Sequence, residues 1–218
     1  MTVTVVLGMH GSGTSAVAGC LREMGVDMGT TFVSPMQGRP LWEDVYFVKL
    51  NSRLLAAAGG NWANPPEVAM LERAAESLRA EMELLITRRQ ADNPNTVWGW
   101  KDPRNSVTAF VWHPLLTEPR YVVVTRDYAD IAHSILARGP SAKKKEEWIG
   151  GAIVHYERIE RFLLDTNALS VKVAYEDLTH RAKADQVLET LVRFLDLPGG
   201  SQAVDTGLAV ITFRETRR

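Results

Sequence analysis

"GMHGSGTSA", residues 8–16, is the stretch on which the reading of the chain turns. It follows the apolar run "TVTVVL" (residues 2–7) and precedes a helix-forming segment, so it reads as the turn from a first strand into a first helix. In such a turn several backbone N–H groups and the positive end of the helix dipole converge on one point, which binds phosphate without side-chain charge. Gly8, Gly11 and Gly13 permit the positive φ angles and close backbone approach this requires, Ser12 lies between them, and Thr14 and Ser15 add hydroxyl donors. The spacing fits a phosphate-cradling P-loop, yet Thr14 stands where a P-loop kinase or ATPase has lysine. The loop therefore suits a ligand with fewer phosphates at its 5′ end, whose other charges are met elsewhere. A plain strand-to-helix turn uses glycines in the same way, and that reading stays open beside the first.

The chain around this loop is of ordinary globular make-up. Its 218 residues suffice for one sizeable core, and a single domain spanning residues 1–218 is the default. Twenty-five Lys and Arg balance 26 Asp and Glu, so no global basic field points to nucleic acid or an anionic membrane, and any anion site is local. One cysteine, Cys20, excludes an internal disulfide framework and a multi-cysteine metal site. No stretch approaches the ~18 apolar residues of a membrane span. The start "MTVTVV" lacks the features of a secretion signal. A cytoplasmic protein is expected.

Four β-branched or aromatic runs, residues 3–7, 97–100, 121–125 and 171–174, alternate with helical patterns. This predicts an α/β fold: three layers of the P-loop type, with a central, mainly parallel sheet flanked by helices. Helices are expected over about 13–24, 41–58, 66–89, 107–116, 129–137, 146–164 and 182–195. The charge run "SAKKKEEW" (141–148) follows Gly139 and Pro140 and reads as a solvated loop or a lid.

A second phosphate-binding element is legible in "YVVVTRDYADIAHSILAR" (121–138). Arg126 follows a strand at its carboxyl end, where ligands of open α/β sheets bind, and Ser134 comes eight residues later on the returning helix. At this point the sequence resembles the sulfotransferases that use 3′-phosphoadenosine 5′-phosphosulfate (PAPS), and in particular their short bacterial branch. "GSGTS" (11–15) looks like that family's 5′-phosphosulfate loop, and Arg126 with Ser134 like its 3′-phosphate clamp. "WGWKDPR" (98–104) and "AYEDL" (174–178), followed by a terminal helix, match in order as well.

The resemblance implies a sulfotransferase that moves a sulfuryl group from PAPS, without a required metal, to a hydroxyl or amine of a small-molecule or glycan acceptor. It implies that Gly11, Ser12, Gly13, Thr14, Ser15, Arg126 and Ser134 bind the donor. The family loop carries Lys or Arg where this chain has Gly11, and Lys101 is the cation expected to take over that charge. A turn in which Asp102 pairs with Arg104 is the competing account of "KDPR". For the base, "GRPLWEDVYFVKLN" (38–51) looks like the segment in which some branches keep a glutamate, which puts Glu43 first and Asp44 second, with His10 as rival. Arg39, Arg104 and the terminal Arg214, Arg217 and Arg218 are further anion-binding candidates, and Trp42, Tyr46 and Trp62 candidates for an aromatic acceptor wall. The alternative function is a P-loop kinase or nucleotide hydrolase with a degenerate loop, for which Asp102 or Asp127 would hold magnesium.

Overall fold

Each β-branched run forms a strand, and the four strands pair side by side into a parallel sheet of order β2-β1-β3-β4. The computed structural model describes residues 2–94 and 96–212. The strands are β1 (Val3–Leu7), β2 (Trp98–Lys101), β3 (Pro119–Thr125) and β4 (Ser170–Ala174). Every residue of β1 and β2 is buried, which is why these strands read as unbroken apolar runs rather than as an alternation.

Parallel neighbours need crossover connections, and helices supply them. α1 (Thr14–Glu23), α2 (Val45–Ala57) and α3 (Val68–Asp92) lead from β1 to β2; α4 (Asn105–Trp112) and a 3-10 turn (His113–Leu115) lead on to β3. α5 (Tyr128–Leu136) and α6 (Lys145–Thr166) connect β3 to β4, and α7 (Tyr175–Leu178), α8 (Ala184–Leu195) and α9 (Ser201–Leu208) follow.

The pleat of the strands divides the apolar residues between two cores. Val3, Val5 and Leu7 face Phe47, Trp112 and Phe162 on one side. Val6, Val122, Val124 and Val173 face Val17, Leu21 and Leu188 on the other. The result is the expected three-layer α/β arrangement. Among the described residues no helix is long and apolar enough to cross a membrane.

Several boundaries differ from the sequence reading. α2 starts at Val45 rather than at residue 41, because Trp42 has a φ of 54° and Asp44 caps the helix by accepting from the Tyr46 N–H. α3 runs on to Asp92, held by an ion pair between the buried Arg89 and Asp27 at 2.8 Å. Lys101, expected one residue past its strand, is the last residue of β2 and pairs with Val6. That register, with Leu7 opposite Val123 and Thr125 opposite Ala174, brings the four carboxyl strand ends to one edge of the sheet.

Candidate functional site

At this edge the loop after β1 wraps toward the start of α1. The Ser12 N–H donates to the Met9 carbonyl (3.1 Å) and the Gly13 carbonyl starts the helix by accepting from Ala16 and Val17. Gly13, with φ 98°, is the N-cap, and no side chain caps this helix end. The first-turn N–H groups, those of Thr14 and Ser15 among them, therefore face the strand ends as donors. Glycine at 13 has a second cause: a Cβ there would lie 2.2 Å from the ring of Tyr175, which covers the loop from the end of β4.

Lys101 brings the predicted chemistry together. Its side chain is fully buried; Nζ donates to Glu43 Oε1 at 2.8 Å and to Ser15 Oγ at 3.2 Å. Burial pushes the Lys101 pKa down, and the adjacent Glu43 and then Asp102 charges oppose that. Arg104 lies 3.9 Å from Glu43 Oε2 and donates to Asp102 Oδ1 at 2.8 Å, so the ion pair expected of "KDPR" exists alongside the Lys101 contact. Asp44 is turned away as the α2 cap, and burial raises its pKa. The carboxylate that reaches the loop is that of Glu43.

The second predicted cluster also assembles. Arg126 Nη1 donates to the Gly11 carbonyl at 2.8 Å and Nη2 to Asp130 Oδ2 at 3.3 Å, with the guanidinium stacked 4.7 Å over the Tyr175 ring. Its Nε is buried and has no partner among the described residues. Ser134 faces the same glycine: a Cβ on Gly11 would come within 3.3 Å of Ser134 Cβ. Arg126 also lines an open surface depression with Tyr128, Tyr156 and Glu176.

His10 is half-buried, its ring centroid 4.1 Å from that of Trp62, which stacks in turn on Trp148 at 5.2 Å. Burial, and then the charges of Arg104, His155, Arg138 and Lys101, hold its pKa well below the usual histidine value. His155 sits behind, its Nε2 2.8 Å from the Trp62 carbonyl and its Nδ1 2.6 Å from Ser106 Oγ; burial lowers its pKa to about 4. The "SAKKKEEW" segment is strapped down: Lys143 Nζ donates to Asn64 Oδ1 at 2.8 Å and Trp148 Nε1 to Ser141 Oγ at 3.0 Å.

Other predictions are redistributed. Only Trp62 of the three wall candidates touches the loop: Trp42 lies against Gly19 under Arg22, and Tyr46 is exposed beneath Arg88. Arg39 is exposed in a short hairpin with Met36, and Arg214, Arg217 and Arg218 lie outside the described residues. Asp127 caps α5 by accepting from the Asp130 N–H. Among the described residues no group of three or more His, Cys, Asp or Glu is placed to hold a metal ion. Sequence reading assigned no role to Tyr175, although it lies in the noted "AYEDL" segment, and passed over Asn51, the one polar residue on the buried face of α2.

No family model and no curated protein matches the sequence. Solved structures do match its fold. The sulfotransferase domain of the Synechococcus PCC 7002 olefin synthase superposes with a TM-score of 0.58 at 14% identity, covering 95% of this chain and 79% of that one. A sulfotransferase from Mycobacterium tuberculosis H37Rv gives 0.51 at 14%, covering 94% and 70%. A sugar kinase from Janibacter sp. HTCC2649, solved unliganded, gives 0.50 at 14%, covering 97% and 99%. The architecture is thus one that sulfotransferases have.

Proposed function

We propose that this protein is a PAPS-dependent sulfotransferase acting on a hydroxyl or amine of a small-molecule or glycan acceptor, as one cytoplasmic domain. The observation that carries the proposal is the Lys101–Glu43 contact of 2.8 Å, made beside the loop at Ser15. It joins a cation and a carboxylate 58 residues apart in sequence at the N-terminus of an uncapped helix. The sulfotransferase architecture of two solved neighbours supports it.

The donor-binding residues fit a bisphosphate on two counts. The α1 N-terminus offers N–H donors at the loop, and the half-buried Arg126 keeps a buried, unpartnered Nε beside Gly11 and Ser134. When bound, PAPS supplies a sulfuryl group on a phosphate leaving group. Glu43 takes the acceptor proton, and its charge is then gone from Lys101. The Lys101 ammonium, released from its partner and poor in water, is free to stabilise negative charge near Ser15. Glu43 suits the base role better than His10, whose imidazole is made a weak base by burial and by the neighbouring charges of Arg104, Arg138 and Lys101.

The kinase reading draws on the sugar-kinase neighbour. Against it, Asp102 is committed to Asn51 and Arg104, and Asp127 to capping α5, so both candidate magnesium ligands have other work. Calorimetric titration with 3′,5′-phosphoadenosine, beside ATP and ADP with magnesium, separates the two. Micromolar binding of the bisphosphate alone is expected, and Arg126→Ala should weaken it by about 2 kcal/mol through loss of a charge-assisted contact. Preference for ATP with magnesium overturns the proposal.

A further inference from the structure

We infer that Asn51 is a positioning residue for the Lys101–Glu43 pair, acting through Asp102 and Arg104; the inference rests on the sulfuryl-transfer reading for its effect on turnover.

Asn51 is fully buried on α2, and its carboxamide is used completely. Nδ2 donates to Asp102 Oδ2 at 2.8 Å and to Asn105 Oδ1 at 3.0 Å. Oδ1 accepts from Thr108 Oγ1 at 2.8 Å and from Trp112 Nε1 at 2.7 Å. Two donors and two acceptor positions, all filled by groups themselves buried, leave the side chain one orientation.

What Asn51 holds is a carboxylate that has no water to turn to. Asp102 is fully buried and follows Lys101 directly at the end of β2. Its Oδ2 takes the Asn51 bond, while Oδ1 accepts from the backbone N–H of Arg104 at 3.0 Å and from Arg104 Nη1 at 2.8 Å. The same Nη1 stands 3.9 Å from Glu43 Oε2, and Glu43 Oε1 accepts from Lys101. A continuous series therefore runs from the interior of α2 to the loop: Asn51, Asp102, Arg104, Glu43, Lys101. Without the Asn51 donor, Asp102 Oδ2 is left unsatisfied, and the carboxylate regains the freedom to turn and draw Arg104 away from Glu43. Asn51 touches none of the groups assigned to the donor or acceptor, so its influence on them is one of placement.

A role limited to packing the Trp100–Trp112 core would lower stability and nothing else, and the experiment is built on that difference. Asn51→Leu is compared with wild type by thermal unfolding, by nitrogen NMR of the Arg104 guanidinium, by calorimetry with 3′,5′-phosphoadenosine and by turnover. The expected result is a folded protein in which Arg104 loses its hindered rotation and turnover falls about a hundredfold, while bisphosphate affinity stays within about threefold, since the donor contacts are elsewhere. Asn51→Asp gives a second readout. It sets two carboxylates at the separation of 2.8 Å now spanned by the Asn51–Asp102 bond, among the charges of Lys101, Arg104 and Glu43. Such a pair shares one proton. Turnover relative to wild type at the same pH should be best preserved toward acid pH and fall as rising pH removes that proton, so the ratio of the two profiles declines with pH.

Asn51→Leu with a lower melting temperature but wild-type turnover and an unchanged Arg104 signal overturns the inference, as does a wild-type pH profile in Asn51→Asp. Should Asn51→Leu fail to fold, Asn51→Asp decides by its pH profile and Arg104 signal. Should wild type bind no bisphosphate, the sulfuryl-transfer reading falls by itself, and the Arg104 signal alone decides whether Asn51 positions the pair.

Discussion

Glu43 and Lys101 hold each other in a place neither occupies alone at low cost. Lys101 has no exposed surface and Glu43 only 7%, so each charge depends on the other for the stabilisation that water gives elsewhere. Lys101→Met leaves Glu43 facing Arg104 at 3.9 Å and should destabilise the fold by about 3 kcal/mol in urea unfolding. Adding Glu43→Gln to that variant should restore most of the loss, because the buried charge is removed with its partner. Strict additivity of the two single effects would mean that the pair is not coupled. Both residues were legible as candidates, yet their contact was not, since they lie 58 residues apart and nothing between them encodes the approach of α2 to β2. Asn51 was illegible for a related reason: one polar residue among Leu50, Leu54 and Leu55 does not announce four buried partners contributed by α4 and the turn before it.

The loop after β1 explains why it lacks the cation of the sulfotransferase loop it resembles. Gly11 has φ 86°, and a Cβ there would meet the Ile131 carbonyl at 3.1 Å and Ser134 at 3.3 Å, so α5 lies against the loop where a longer residue would start. The Gly11 carbonyl is also pinned by Arg126. Gly11→Lys, which writes into the loop the cation that resembling sulfotransferase loops carry, should therefore lower stability by about 1–2 kcal/mol through left-handed strain and crowding. Bisphosphate affinity should fall rather than rise as the Arg126 clamp shifts. Thermal unfolding and calorimetry on the same sample check both, and a stable, tighter-binding variant would refute the account. The glycine spacing was readable in the chain, whereas the contacts that Arg126 and the α5 helix after it make with Gly11 were not, because Arg126 lies 115 residues from Gly11.

Across the whole molecule burial reaches titratable groups beyond the Lys101–Glu43 pair, His155 among them. Burial holds the His155 pKa at about 4, against its ordinary 6.5, and lowers that of His10 in the same direction. The folded state thus binds these protons less readily than the unfolded chain does. The stability gained from keeping His155 neutral is fully present above pH 6.5 and is lost as pH falls from 6.5 toward 4, by about 3 kcal/mol. Urea midpoints measured from pH 7 to 4 should fall more steeply for wild type than for His155→Gln, and parallel curves would sink this assignment. Such a loss reaches the site, because His155 also bonds the carbonyl of Trp62, which stacks on His10.

The sequence by itself determined the α/β layers, the alternation of strands with helical crossovers along the chain and the glycine turn after β1, since these depend on local periodicity and glycine spacing, whereas the sheet order β2-β1-β3-β4 came only with the fold. Tertiary structure alone decided that Glu43 rather than Asp44 meets Lys101, that Trp62 rather than Trp42 roofs His10, and that Tyr175 covers Gly13. The physical reason is common to all three. Which face a side chain presents follows from where a helix begins and from which element packs on it, and both are settled by burial of the whole chain at once. One residue in a left-handed conformation, Trp42, was enough to delay α2 to Val45, turn Asp44 into a cap and leave Glu43 beside the loop.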